Sequence, residues 1–116
     1  MDSDADTAFR SPLERALSTP ARVRITGALV ESRGEALLPT EIAGQAGVSE
    51  RTFHNHREAL VELSVMRKHR PESGYPRYAL ADSPVADLLV ALNDQLGAQF
   101  VADTEDVQTA VQQFTE

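Results

Sequence analysis

The segment from Pro39 to Leu60, PTEIAGQAGVSERTFHNHREAL, limits the possible folds of this chain more than any other. Ala43 provides a small side chain where a second helix can cross closely. Gly47, four residues later, can adopt the left-handed conformation of a tight turn. Val48 adds an apolar side chain beside that turn, and Ser49 offers an oxygen to the free N–H groups of a new helix. The spacing therefore predicts two short helices joined by a tight turn.

The residues before this segment predict two further helices and a short strand. Residues 12–17 can form a short helix with its apolar side chains, Leu13, Ala16 and Leu17, facing inward. The sequence STP at residues 18–20 supplies a hydroxyl cap and a first-turn proline for a second helix. That helix should end near Gly34. The apolar run 36–38 is interpreted as a small strand that stops at Pro39.

The residues after the segment predict a hairpin and more helices. Residues 65–70 and 77–80 resemble strands, and the sequence PESGYP at residues 71–76 forms the hairpin tip between them. Ser83 and Pro84 should start a helix with a broad apolar stripe. Thr104 is interpreted as the cap of a separate last helix.

The predicted order of elements defines the fold class as mainly α with a small β-wing (α+β). It corresponds to a winged helix-turn-helix with N- and C-terminal dimerisation helices. We expect a disordered acidic tail at residues 1–10, a DNA-binding domain at residues 11–82 and dimerisation helices at residues 83–116. A length of 116 residues is enough for one such domain with a modest core.

Two stretches carry a resemblance to known proteins: LSTPARVRITGALVE and LPTEIAGQAGVSERTFHNHREALVEL. They resemble small winged-helix transcriptional regulators of the ArsR, MarR and PadR kind, over residues 12–100. With the acidic composition, the resemblance points to haloarchaeal regulators of this type, with a stress response as one possible role. It implies a homodimer whose second motif helix enters the major groove while the wing contacts the DNA backbone or minor groove.

Helical periodicity separates the two faces of the predicted recognition helix, residues 49–63. Phe53 and Leu60 lie on the buried face, whereas Arg51 and Asn55 lie on the opposite face. Arginine can bind guanine and asparagine can bind adenine through two hydrogen bonds each. The candidate DNA-contacting residues on this helix and on the wing, residues 65–80, are Ser49, Arg51, Thr52, His54, Asn55, Arg57, Arg70, Tyr75 and Arg77. For each of them the alternative is a solvated surface position.

The apolar stripe near the C-terminus is wider than a minimal winged helix needs. The candidate dimer-interface residues are Leu88, Leu89, Leu92, Leu96, Phe100, Val107, Val111 and Phe114. Packing of this stripe onto the core of the same chain is the alternative. We expect a symmetric homodimer, because two recognition helices then fit a pseudo-palindromic operator in double-stranded DNA.

The charges are distributed unevenly along the chain, whose formal net charge is −7. Residues 51–77 hold six Arg or Lys and three Asp or Glu, a net charge of +3, whereas the remaining residues have a net charge of −10. The only lysine is Lys68, against eighteen acidic residues. This composition is typical of proteins adapted to high salt, and the alternative is an ordinary acidic protein. The high-salt interpretation predicts bound salt ions and a weak or inverted effect of KCl on DNA affinity.

Several other functions are excluded or disfavoured by the sequence. The chain has no cysteine, so disulfides, thiolate metal sites and thiol switches are absent. His54 and His56 are two residues apart, which on a helix is unsuitable for chelation. We expect no metal, no cofactor, no catalytic residues and no membrane segment, and a cytoplasmic location. The alternative function is a winged-helix protein–protein interaction module that does not bind DNA, and the effector is not indicated.

Overall fold

The computed structural model describes the backbone of residues 11–115 and the side chains of residues 11–99. The predicted acidic tail at residues 1–10 lies outside the described residues. The elements in that range are α1 (Pro12–Ala16), α2 (Pro20–Glu31), α3 (Pro39–Ala46), α4 (Glu50–Glu62), β1 (Met66–His69), β2 (Arg77–Leu80) and α5 (Pro84–Thr115). The arrangement is mostly helical with a two-stranded antiparallel wing, so the predicted winged-helix fold is confirmed.

The sequence determines where most of these helices begin. Proline is the first residue of α1, α2, α3 and α5, a position where its missing N–H leaves no hydrogen bond unmade. Ser11, Thr19, Ser49 and Ser83 each accept a hydrogen bond from the backbone N–H three residues later, at 3.0–3.1 Å. Both features fix the first turn of a helix and thereby the direction in which it leaves the preceding loop.

The core lies where α2, α3 and α4 meet the hairpin. It contains an aromatic contact between Phe53 of α4 and Tyr78 of β2, whose ring centroids are 5.3 Å apart in an edge-to-face arrangement. Around this pair, the buried residues are Ile25, Ala28, Leu29, Leu37, Ile42, Ala43, Ala46, Leu60, Val65 and Met66. Burial of Phe53 and Leu60 fixes the rotation of α4 about its axis, and this rotation turns its opposite face outward.

The wing is a regular antiparallel hairpin, with Met66 opposite Leu80 and His69 opposite Arg77. The strand predicted at residues 36–38 is reduced to a single bridge. Leu37 and Tyr78 exchange two backbone hydrogen bonds of 2.8 Å each. The pairing stops there because α3 begins at Pro39, immediately after the predicted strand. The bridge nevertheless attaches the return strand of the wing to the loop before α3.

The C-terminal helix differs from the expectation. Thr104 does not begin a separate helix, because α5 continues without interruption from Pro84 to Thr115. Between Ala98 and Thr115 the sequence contains neither glycine nor proline. No helix-breaking residue therefore ends α5 before Thr104, and the helix continues through it. At 1.5 Å per residue, this helix is roughly 48 Å long.

The short helix α1 also differs in one respect. Leu13 was predicted to face inward, but it is 65% exposed, whereas Ala16 and Leu17 are half-buried. Polar groups hold α1 in place instead. Arg15 forms an ion pair of 3.2 Å with Glu62 at the end of α4, and its carbonyl accepts a hydrogen bond from Arg22. A five-residue helix can be anchored by such polar contacts while its apolar residue remains at the surface.

Candidate nucleic-acid interface

The turn before α4 has the geometry that the sequence predicted. Gly47 has a φ of 71°, in the left-handed region, and the N–H of Val48 donates to the carbonyl of Ala43 at 3.0 Å. The Val48 side chain packs against the core. Ser49 then accepts a hydrogen bond from the N–H of Thr52. Together these contacts hold the first turn of α4 at a fixed angle to α3.

The outer face of α4 presents the residues predicted to read bases. Arg51 and Asn55 are both exposed, and they lie on the side opposite to the buried Phe53 and Leu60. Glu58 is also exposed, further along the helix. The first half of this face therefore carries hydrogen-bonding groups without a neighbouring element that covers them. Such a face can enter a groove without rearrangement of the backbone.

Three other predicted residues on α4 already have partners within the helix. The Ser49 and Thr52 hydroxyl oxygens are 2.9 Å apart, so both groups belong to the helix cap. His54 Nε2 lies 3.7 Å from the carboxylate of Glu50, one helical turn earlier. The cap orients the hydroxyl groups, and the Glu50 carboxylate keeps the exposed His54 ring beside the first turn.

The wing presents its basic residues to solvent. Arg67, Lys68, His69 and Arg70 are all exposed, although residues that alternate along a strand point to opposite faces. Tyr75, near the tip, is 80% exposed. The structure therefore leaves Arg70 and Tyr75 accessible at the end of the hairpin, as their predicted role requires.

Arg77 lies in a different environment from the other predicted wing residues. It is half-buried, with Nη1 3.5 Å from the carbonyl of Ala36 and 3.6 Å from Oε1 of Glu41. The same Glu41 oxygen accepts a hydrogen bond from the N–H of Leu38 at 2.9 Å. Arg77 thus connects the base of the wing to the start of α3, and a DNA contact would require its side chain to leave these partners or to share them.

Arg57 lies between α4 and the wing. Its Nη1 donates to the hydroxyl of Tyr78 at 3.2 Å. A cleft of about 400 Å³ on one side is lined by the start of α3, by Glu50 and His54, and by residues 75–76 of the wing. A second cleft of about 390 Å³ lies between the end of α4 and Lys68. Both clefts are lined by Arg57 and Tyr78.

A polar contact with α2 also supports α4. The Nε of Arg22 donates to Nδ1 of His56 at 3.4 Å, so the ring accepts at that nitrogen in its neutral form. Burial, and then the guanidinium of Arg22, lower the pKa of His56. Burial, and then Arg15, lower the pKa of Arg22. His56 is therefore a half-buried, hydrogen-bonded residue between α4 and α2.

Sequence reasoning missed the roles of Tyr78 and Arg22. Tyr78 had one signal, because a tyrosine in a short strand beside apolar residues must find a partner for its hydroxyl when it is buried. Arg22 had no signal in the sequence, since its partner His56 lies 34 residues away.

The candidate dimer residues that the structure describes are arranged along α5. Leu88, Leu92 and Leu96 are 70%, 48% and 61% exposed, whereas Leu89 packs against the core. A shallow groove of about 180 Å³ lies between this face of α5 and Leu17, Val23 and Val30. Four more candidates, Phe100, Val107, Val111 and Phe114, lie outside the described side chains. The alternative of packing onto the chain's own core thus applies to Leu89 and not to the three exposed leucines.

Solved structures of three proteins resemble this fold. The cadmium metal-sensor CMTR from Mycobacterium tuberculosis is 32% identical over 70% of this chain and 80% of its own, with a TM-score of 0.54. The chain belongs to the winged-helix regulators of the ArsR/MarR type. A homodimeric winged helix-turn-helix DNA-binding domain from Mycobacterium bovis, Mb0332, a possible ArsR-family transcriptional regulator, is 23% identical over 90% of both chains, with a TM-score of 0.56. A MarR family transcriptional regulator from Silicibacter pomeroyi is 17% identical over 86% of this chain and 71% of its own, with a TM-score of 0.57.

No protein-family model and no curated protein matches this winged-helix regulator. The expectation that it is not an enzyme is confirmed by its place among regulators. The sequence contains no cysteine, and the described residues include no group of three or more His, Asp or Glu that could hold a metal ion. Among the described residues, no helix is long and apolar enough to cross a membrane.

Proposed function

We propose that this winged-helix regulator binds double-stranded DNA sequence-specifically as a homodimer, with α4 in the major groove and the wing on the backbone or minor groove. The observation that carries the proposal is the uncovered first half of α4, where Arg51 and Asn55 are exposed opposite the buried Phe53. Arginine pairs with the two acceptors of guanine, and asparagine pairs with the donor and acceptor of adenine. The two side chains are one helical turn apart, so they can contact neighbouring base pairs.

The other candidates have supporting roles in the proposal. His54 lies beside these two residues and can donate to a base or to a phosphate. Ser49 and Thr52 lie at the first turn of α4, where hydroxyl groups and backbone N–H groups approach a phosphate. Arg70 and Tyr75 are accessible at the end of the wing, and Arg77 is at its base. Contacts to phosphates fix the position of the protein on DNA, whereas Arg51 and Asn55 recognise the base sequence.

The distribution of charge supports this orientation. The net charge of +3 on residues 51–77 coincides with α4 and the wing, whereas α5 contains no Lys or Arg. An approaching polyanion is therefore attracted to the face that carries Arg51 and is repelled from α5. The overall charge of −7 does not oppose this, because the acidic residues are concentrated away from the proposed interface.

The homodimer is proposed from the exposed leucines of α5. Leu88, Leu92 and Leu96 recur every four residues, which places them along one side of the helix. Leu92 and Leu96 also border the groove against α2, so the α5 helix of a second copy can cover both the leucines and the groove. A two-fold axis along this surface would present two α4 helices to a pseudo-palindromic operator.

The proposal also includes adaptation of the protein to high salt. One lysine and eighteen acidic residues in 116 support it, since carboxylates hold water and cations when salt competes for both. A haloarchaeal origin, a cytoplasmic location and a role in a stress response belong to the same proposal. At about 1 M salt the Debye length is about 3 Å, so the acidic residues of α5 would barely affect DNA bound at α4.

The deciding experiment is a binding titration with substitutions on α4. Fluorescence anisotropy on a pool of genomic promoter duplexes first selects a bound sequence, and Arg51→Ala and Asn55→Ala are then measured on it. Each should lower affinity about 5- to 150-fold on the selected sequence and much less on a scrambled duplex. Arg33→Ala is the matched control, because Arg33 is an exposed arginine that pairs with Asp94 of α5. Its affinity should equal that of the wild type.

Absence of saturable DNA binding at every KCl concentration would overturn the proposal and favour the protein–protein interaction module. The salt adaptation has its own measurement, the slope of affinity against KCl from low to molar concentration. We expect a shallow or inverted slope, with cations bridging acidic groups and phosphates. A steep loss of affinity, as seen when many phosphate contacts release counterions, would refute that part alone.

A further inference from the structure

Arg57 differs from Arg51 in that another side chain fixes its position. The Tyr78 hydroxyl accepts a hydrogen bond from Arg57 Nη1 at 3.2 Å. Tyr78 itself is buried, with 2% of its surface exposed. Its ring contacts Phe53 edge to face, and its backbone exchanges two hydrogen bonds with Leu37. The hydroxyl that holds Arg57 therefore belongs to one of the most constrained side chains of the core.

The surroundings leave the Arg57 guanidinium available to an anion. The bond to Tyr78 uses one of its five N–H groups. Three carboxylates line the adjacent clefts: Glu62 forms an ion pair with Arg15 at 3.2 Å, Glu50 lies 3.7 Å from the His54 ring, and Glu58 is exposed to solvent. Arg57 is half-buried between the two clefts.

We infer that Arg57 binds a phosphate of the DNA backbone where it passes between α4 and the wing, and that Tyr78 positions it for this contact. The inference rests on the proposed DNA-binding function. A guanidinium presents a planar fork that matches two phosphate oxygens. Arg57 lies on the side of α4 that faces the wing, so it is placed for the backbone beside the groove that α4 enters. A side chain already held in place loses less freedom when it binds.

Tyr78 is thus a positioning residue that connects the core to the DNA backbone. Its hydroxyl does not contact the phosphate. Removal of the hydroxyl leaves the aromatic contact with Phe53 and the bridge to Leu37 in place, because the first needs only the ring and the second only the backbone. Tyr78→Phe therefore separates the positioning of Arg57 from the folding of the wing.

The test is a double-mutant cycle in DNA binding with Arg57→Ala, Tyr78→Phe and the double variant. Affinity for the selected duplex is measured over a range of KCl in which circular dichroism shows each variant to be folded. Arg57→Ala should weaken binding about tenfold on selected and scrambled duplexes alike. It should also change the slope of log affinity against log KCl by about one. Tyr78→Phe should weaken binding about three- to tenfold, and should have no further effect in the Arg57→Ala background.

The outcomes separate the inference from the proposed function. If Arg57→Ala weakens binding but Tyr78→Phe does not, the positioning role is overturned. An unchanged affinity and an unchanged salt slope in both variants would overturn the phosphate contact, while the sensitivity of binding to Arg51→Ala would leave the proposed function standing. Additive effects in the double variant would show that Tyr78 acts on DNA binding independently of Arg57, which also overturns the inference.

Discussion

Ser83 is the residue whose substitution gives the most direct test of how α4 and α5 are joined. Its Oγ accepts a hydrogen bond from the N–H of Ala86 at 3.0 Å and donates to the carbonyl of Ser64 at 2.6 Å. The first bond caps α5, and the second reaches Ser64, two residues after the end of α4. Ser64 has a φ of 62°, in the left-handed region. One hydroxyl group thus connects the start of α5 to the turn between α4 and the wing.

The structure gives the magnitude of the effect of Ser83→Ala. Loss of a serine cap costs about 1 kcal/mol of unfolding free energy. Loss of the second hydrogen bond costs about 0.5–1 kcal/mol, because Ser64 is exposed and water can replace the lost donor. The free energy of unfolding should therefore fall by about 1.5–2 kcal/mol. For a domain of about 100 residues, this corresponds to a decrease in Tm of roughly 6–10 °C.

The measurement is urea unfolding followed by circular dichroism, at fixed protein and KCl concentrations because a dimer gains stability with concentration. Ser83→Thr retains the hydroxyl and should lose less than half as much stability. Ser73→Ala, at the exposed wing tip, is the matched serine control and should be neutral. A loss of about 1 kcal/mol or less in Ser83→Ala, which the cap alone would explain, would refute the connection between α4 and α5.

Three further predictions concern the same domain. Phe53→Ala should lower the free energy of unfolding by about 3–5 kcal/mol, because Phe53 is fully buried against Tyr78; urea unfolding measures this, and a loss under about 1 kcal/mol would contradict the core assignment. Ser64→Gly should raise the free energy of unfolding by about 0.5 kcal/mol, because glycine adopts a positive φ without steric strain; no gain in the urea midpoint would count against it. The free energy of unfolding should also fall as the pH decreases below about 6.5. Burial and Arg22 lower the pKa of His56 in the folded chain. The unfolded chain therefore takes up a proton in this pH range that the folded chain does not. Urea titrations at two pH values measure this, and His56→Gln should remove this part of the pH dependence. His69→Gln, on the exposed wing, is the control and should leave it unchanged. Equal pH dependence in the wild type and His56→Gln would contradict the role of His56.

The helix starts and the turn before α4 could be predicted from the sequence because they depend on neighbouring residues. Thr19 and Ser49 each act on an N–H three residues away, and Gly47 acts on its own backbone. The burial of Phe53 and Leu60 followed from helical periodicity. In each case the physical cause lies within one or two turns of chain, so a pattern of residue types is sufficient to indicate it.

The incorrect or missing predictions depend on contacts between distant residues or on a stop signal that is absent. A separate helix was predicted from Thr104 because threonine is a good cap. No helix breaker precedes Thr104, however, so α5 continues past it. The contact of Arg77 with Glu41, 36 positions earlier, was missed, and its DNA contact stays a prediction. The hydrogen bond between Arg57 and Tyr78 spans 21 positions. Only the folded arrangement of α3, α4 and the wing brings these groups together.

The attachment of the wing at its base has a consequence for how such a protein can diverge. Paired residues from Met66 to His69 and from Arg77 to Leu80 fix the register, and Tyr78 joins the return strand to the core. The tip between them, residues 71–76, makes no part of that pairing and has exposed residues at 72–75. Insertions or deletions at the tip can therefore lengthen or shorten the hairpin while the core and α4 remain unchanged. The tip is the segment in which descendants of this protein can acquire new reach along DNA at little thermodynamic cost.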